Sequence, residues 1–165
     1  MIEYLRDTII PPLNAFCGVP VIRAEQTGKK PAGSHATYKF TTTYAKDAGN
    51  PEVVPVETAD GLQLRQRETN RFTLSFSAYA KDDIESRDLA QKIHDWFNFH
   101  GQLVLQDAGV AVVDITNVEN RDALIVDDYE RRNGFDVILR VDRELLQDIE
   151  WIETVEINNE IYPKE

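Results

Sequence analysis

If this chain performs chemistry, the task would fall to its acids. Asp82-Asp83 and Asp127-Asp128, with Glu130 two residues further on, are the tightest carboxylate groups. Carboxylates gathered in this way can hold divalent cations that activate water, so a metal-dependent hydrolase could draw on Asp82, Asp83, Asp127 or Asp128. Such an enzyme also needs a third acidic contribution and basic residues to hold an anionic substrate. Each pair has a structural reading beside the catalytic one. Asp82-Asp83 opens an expected helix, where carboxylates accept from free N–H groups and complement the helix dipole. Asp127-Asp128 is followed by Arg131-Arg132, so local charge compensation accounts for it.

The other chemical motifs are weaker. Gly28 and Gly33 have the glycine spacing of a phosphate-binding loop, but Ser34-His35 stands where Lys and Ser/Thr are required, and a strand rather than a helix follows. His94 and His100 are six apart and do not share a helix face as paired ligands. His35 is isolated in a loop. Cys17 is the only cysteine, which rules out an intrachain disulfide or a multi-cysteine zinc site and reads as a small apolar core residue. No cofactor is expected.

Charge is lopsided. Residues 1–80 carry nine Lys/Arg and eight Asp/Glu, whereas residues 81–165 carry nine and twenty-one, within a net charge of −11. Gripping nucleic acid takes Lys/Arg to neutralise phosphates, so tight DNA binding is not expected. The acids either keep the surface soluble or keep DNA from sticking to it. No run of apolar residues is long enough to span a membrane. The N-terminus has acids and no long apolar core, which argues against a secretory signal and for a cytosolic origin. A chain of 165 residues is expected to form one domain.

The elements that must position these residues centre on Arg65–Gly101. Phe72, Leu74, Phe76 and Ala78 alternate with polar residues, which predicts a strand over Arg65–Ala80. Leu89, Ile93, Trp96, Phe97 and His100 recur at helical spacing, which predicts a helix over about 82–100, with Asp82 and Glu85 as its capping pair and Gly101 as a left-handed C-terminal cap. Before this unit, residues 1–16 suggest a helix broken at Pro11-Pro12. Val19–Ala24 suggests a short strand and Tyr38–Tyr44 a clear one. Residues 45–61 read as a long excursion, with a possible hairpin of its own. Beyond Gly101, strands are expected at Leu103–Leu105, Val110–Val118, Asp127–Val141 and Trp151–Ile157. Asn133-Gly134 inside the third of these is read as a bulge in preference to a turn. Helix, strands, helix, strands, joined by short connections, make an α+β fold, mainly an antiparallel sheet packed by an N-terminal and a central amphipathic helix.

Four stretches in this order carry a resemblance. VIRAEQTGKKPAGSHATYKFTTTY, QRETNRFTLSFSAYAKDD, AQKIHDWF and NVENRDALIVDDYERRNGFDVILRV together resemble the neck or tail terminator proteins of tailed phages. The late strand carries that family's E-x-R-x-x-F-D-V type pattern as Glu130-Arg131-Arg132-Asn133-Gly134-Phe135-Asp136-Val137. The resemblance spans about residues 19–142. It implies a small α+β virion subunit without catalytic function, made and assembled in the bacterial cytoplasm. Copies of it would close into a ring, a hexamer, that caps the tail tube and meets the head connector. DNA would pass through the lumen without specific binding, and no membrane is involved. Another tail-machine component, of tube or baseplate, is the alternative; the acidic metal-dependent enzyme is the more distant one.

Two surfaces are then candidates for contact between subunits. Arg65, Arg67 and Arg71 share one parity of their strand and are the cations placed to meet a neighbour's acids. Val53, Val54 and Val56 put apolar side chains into an otherwise polar excursion.

Overall fold

The computed structural model describes the chain apart from residues 26, 29, 30, 48, 60, 126, 127, 151–153, 158, 159, 164 and 165, and apart from the side chains of 125, 128, 129, 154–157 and 160–163. Helix α1 covers Ile2–Cys17, β1 Val21–Arg23, β2 His35–Lys46, β3 Glu52–Thr58 and β4 Gly61–Tyr79. Helix α2 (Asp83–Asp95) runs into a π-helical turn, Trp96–His100, and then α3 (Gln102–Asp107). Strands β5 (Val110–Ile115), β6 (Glu119–Asn120), β7 (Ala123–Ile125), β8 (Asp128–Glu130), β9 (Arg132–Ile149), β10 (Thr154–Ile157) and β11 (Glu160–Pro163) complete the order. The fold is α+β. Its main sheet runs β1-β2-β4-β9-β5, with β3 added on β4 and β6 on β9. β1 pairs with β2 in parallel, while β2 and β3 pair antiparallel with β4, and β5 and β6 with β9.

The chain divides into two compact units. The first comprises Met1–Asp47 and Asn70–Val141, and the second Ala48–Thr69 and Asp142–Glu165. In the first, the alternation seen in β4 does what its period dictates: Phe72, Leu74, Phe76 and Ala78 are buried, and Phe135, Val137, Leu139 and Val141 of β9 are buried with them. Leu5, Ile9 and Leu13 of α1 and Leu89, Ile93 and Phe97 of the central helix belong to the same core. Phe76 lies at its centre, with ring centroids 5.2 Å from Phe97 and 5.8 Å from Phe135. Cys17 is buried here, as its composition-level reading expects, and loss of hydration pushes its thiol pKa up to about 11.

Several expectations are corrected. Helix α1 runs unbroken through Pro11 and Pro12. The prolines remove two donors and crowd the preceding turn, but the carbonyls they leave belong to Asp7 and Thr8, on the less buried side. The opposite face, Leu5–Ile9–Leu13, is fully buried and holds the helix together across the gap. Leu103–Leu105 is helical, in α3, because only Leu105 faces inward while Leu103 is 75% exposed; a short apolar run does not declare its period. Strand β5 stops at Ile115, short of Val118. Gly101 is not a left-handed cap. Its φ is −91°, and its missing side chain makes room for the Trp96 indole, whose Cε2 lies 2.5 Å from where a Cβ would stand.

The expected strand over Asp127–Val141 is divided into β8 and a longer β9, and Asp127 lies outside the described residues. Within β9, Gly134 pairs in register with Glu119 rather than forming the expected bulge. A side chain there would run into the Phe76 carbonyl oxygen, so the glycine marks a close backbone approach. The 45–61 excursion has no hairpin of its own: it supplies β3, which pairs with the start of the long β4. Of the last expected strand, residues 151–153 lie outside the described residues, and Thr154–Ile157 forms β10, paired with β11.

Candidate assembly surfaces

The second unit contains β3, the first half of β4 and the end of β9, called the arm below, together with the β10–β11 pair. Its register puts Val54 opposite Arg65, Val56 opposite Gln63, Val53 opposite Gln66 and Pro55 opposite Leu64. Paired residues share a face. One face therefore carries Val54, Val56, Gln63, Arg65 and Arg67, and the other Val53, Pro55, Leu62 and Leu64. Side-chain contacts extend the assignment to β9. Gln63 Nε2 donates to Asp148 at 2.7 Å, Thr69 Oγ1 to Asp142 at 2.8 Å, and Arg143 lies 3.5 Å from Glu68. Glu144 belongs to the arginine face and Arg143 and Leu145 to the other. Val53 is 54% exposed, and Val54 and Val56 are half-buried.

The three arginines have partners within their own chain. Glu144 lies 4.0 Å from Arg65 and 3.7 Å from Arg67. These are loose pairs between partly exposed groups, each worth less than about 1 kcal/mol. Arg71 belongs to the first unit. It meets Asp47 at 2.5 Å, and Arg140 reaches the other oxygen of the same carboxylate at 3.6 Å. Asp47 is almost inaccessible and ties two half-exposed guanidinium groups from different strands. Nothing local in the sequence reveals it, because its partners arrive from β4 and β9. The shared parity of Arg65, Arg67 and Arg71 is thus real, but the structure divides them between the two units.

The acids that could have served a metal are placed as follows. Asp82 caps α2, accepting from the Glu85 N–H at 2.8 Å. Asp83 accepts from Arg87 at 2.8 Å, Asn133 at 3.1 Å and Asn120 at 3.3 Å. Asp127 is outside the described residues, and so is the side chain of Asp128. Among the described residues, no group of three or more His, Cys, Asp or Glu is placed to hold a metal ion. His94 stacks edge-on to Phe135, and His100 lies against Phe16, at centroid distances of 5.3 and 4.7 Å.

The Glu130–Val137 stretch builds a clasp. Asn133 is 1% exposed and also donates to Ser86 Oγ at 2.8 Å, tying β9 to α2. Arg121 donates to Ser75 Oγ at 2.8 Å and to Asp136 at 3.1 Å, while Arg132 Nε donates back to the Arg121 carbonyl. Asp122 accepts from the Arg131 side chain at 2.7 Å and the Arg132 N–H at 2.8 Å. The Arg131 bond is the main cause that holds its carboxyl below the ordinary carboxylate range.

A carboxylate whose folded-state pKa is depressed stabilises the fold above its unfolded value, and the contribution is lost as pH falls through the folded value. Asp122→Asn should therefore cost about 1.5 kcal/mol at neutral pH. The gap to the parent protein should stay constant from about pH 7 to 5 and close below about pH 4. Thermal melts of both proteins across that range check this; a gap independent of pH would contradict it.

A search of curated proteins finds no match to the chain. Among the described residues, no helix is long and apolar enough to cross a membrane. The sequence profile of the family described as phage neck terminator protein matches residues 4–164. With essentially its whole length inside that profile, the chain belongs to the phage neck terminator proteins.

Proposed function

We propose that this protein closes into a ring, a hexamer, that caps the tail tube and joins it to the head connector, and that it does so without catalysis. The observation that carries the reading is the family match over nearly the full chain. The arm fits it: its three strands carry apolar residues on both faces, few of them deeply buried. In this reading both units are parts of one α+β domain. Val53, Val54, Val56, Arg65, Arg67 and Arg71 contribute to contacts between subunits, with the arginines exchanging or sharing acids across the boundary. A contact between two different surfaces of identical copies closes into a ring when its rotation fits. Acids concentrated in residues 81–165 face the lumen and keep DNA mobile. The protein is made in the bacterial cytoplasm and resides in the virion, between the tail tube protein and the connector.

The test is to assemble phage tails without this protein and to weigh the purified protein under native conditions. Tubes of uncontrolled length, together with a discrete mass six times the subunit, are the expected results. Absent tubes would indicate a tube or baseplate component instead. Tight duplex binding at about 50 mM salt, where electrostatic affinity is strong, would sink the lumen assignment.

A further inference from the structure

β1 is the edge strand of the main sheet, joined in parallel to β2. The Pro20 carbonyl and the Ala24 N–H bond to β2. Alternate residues of a strand aim their backbone groups to opposite sides, so Val21 and Arg23 aim theirs outward. The Val21 N–H is taken by Asn14 Oδ1 at 2.6 Å, whereas the Arg23 N–H and carbonyl meet no partner among the described residues. At this edge lies a pocket of about 300 Å³ with an apolar part, Ile2 and Phe40, and a charged part, Arg23, Lys39 and Glu25. Lys39 meets Glu25 at 2.6 Å in an exposed, solvent-screened pair. Arg23 is exposed and makes no ion pair among the described residues. The pocket therefore offers an unpaired guanidinium beside apolar surface, next to one open stretch of strand edge.

An occupant that satisfies all three features is extended, acidic and partly apolar. Residues 144–163 carry six Asp/Glu and no Lys or Arg, more acids than any other stretch of the chain uninterrupted by a cation. Glu144 and Asp148 are engaged inside the arm, by Arg65, Arg67 and Gln63. That leaves Glu150, Glu153, Glu156 and Glu160, spaced among Ile, Trp, Val and Tyr, in the segment that forms β10 and β11. The charge balance agrees: residues 1–47 hold six Lys/Arg against four Asp/Glu, and residues 142–165 hold two against eight. Chain length decides whose pocket is filled. β9 runs eight residues past Val141, about 27 Å at strand rise. Only the four residues 150–153 then lead to β10, at most about 14 Å of chain, which favours the β1 edge of another copy.

We infer that the acidic segment 149–163 of one copy docks on the β1 edge of the next, setting a glutamate against Arg23 and an apolar side chain against Ile2 and Phe40. The contact joins two different surfaces of identical chains, the kind that closes a ring. Its charges steer the approach and fix the orientation, and an extended backbone completes the edge at Arg23. This inference rests on the ring proposed above and names the surfaces that meet in it. The four glutamates then belong to the contact, and the lumen keeps the other acids of residues 81–165.

The test is a charge swap in the full chain, read by native mass and by thermal melts. Arg23→Glu alone and Glu153→Lys/Glu156→Lys alone should each keep the parent melting midpoint and weaken assembly by about tenfold or more. The two sets of changes combined in one chain should recover most of that loss, because every reversed pocket then meets a reversed segment. Assembly undiminished by Arg23→Glu, or a combined variant no better than either alone, overturns the inference and leaves the ring standing. Rings of Arg23→Glu that form but no longer join tails assign the pocket to an acidic tail partner, which also overturns it. Separate variants that lower the melting midpoint and spare assembly would put the segment in the pocket of its own chain, again against the inference. A parent protein that stays monomeric even on tails overturns the ring reading and the contact together. A smaller oligomer that obeys the swap keeps the contact and overturns the ring.

Discussion

Phe76→Ala should lower stability by about 4 kcal/mol, the cost of deleting a fully buried aromatic ring. For a chain of this size each kcal/mol shifts the melting midpoint by about 2–4 °C, so a fall of about 12 °C is expected. The expectation follows from position rather than type. Phe76 is 1% exposed and lies between the Phe97 ring from the central helix and the Phe135 ring from β9. Removing it opens a cavity where helix and sheet meet, and both neighbours lose their contact with its ring. Phe99→Ala, by contrast, deletes an equally large ring that is 73% exposed and should shift the midpoint by no more than a degree or two. Calorimetry on the two variants checks the pair; equal midpoints would mean that the core is not centred on Phe76.

Gly134→Ala should cost about 3 kcal/mol through the addition of a single methyl group. The added carbon would meet the Phe76 carbonyl oxygen and come within 3.0 Å of Arg121 Cδ and 3.1 Å of its Nη1. A flexible side chain can yield, but a backbone carbonyl in a paired strand cannot move without displacing its neighbours. Arg121 would be pushed from Ser75 Oγ and the Phe76 carbonyl, which it now meets at 2.8 and 3.4 Å. Amide exchange should therefore accelerate around Arg121 and in β6 before it does so in α1. A melting midpoint within a degree of the parent would show that the strands can separate there at little cost.

The parts of this fold that the sequence displays are those with a repeating period. Phe72–Ala78 alternates, and it lies where period two places it. Asp82 is followed three residues later by Glu85, and it caps α2 as that spacing predicts. What the sequence hides has no period or has a partner far along the chain. Pro11 and Pro12 argue locally for a break, and only the buried Leu5–Ile9–Leu13 face overrules them. Leu103–Leu105 is too short to declare itself, and its helical state depends on Leu105 alone finding the core. Asp47 looks like a loop acid until Arg71 and Arg140 are brought to it. Parity, legible in the sequence, places Arg65 and Arg67 together on the arm. It could not reveal that Glu144 already stands beside them, nor that the π-turn would turn Phe99 and Leu103 outward, since no residue pattern announces a widened helical turn.

The proline pair in α1 has a consequence for the order of events during folding. A helix that lacks two consecutive donors in its interior is a poor nucleus, because nucleation already costs more than it returns in an isolated segment. The segment therefore cannot serve as a template on which the strands collect. Its helicity is borrowed from the core it shares with the sheet and the central helix, and the strands of that core must first find one another across long stretches of chain, a slow kind of search. Helix α1 is thus among the last elements of the core to settle. A φ-value near zero throughout α1 is the kinetic signature, and values near one would refute it.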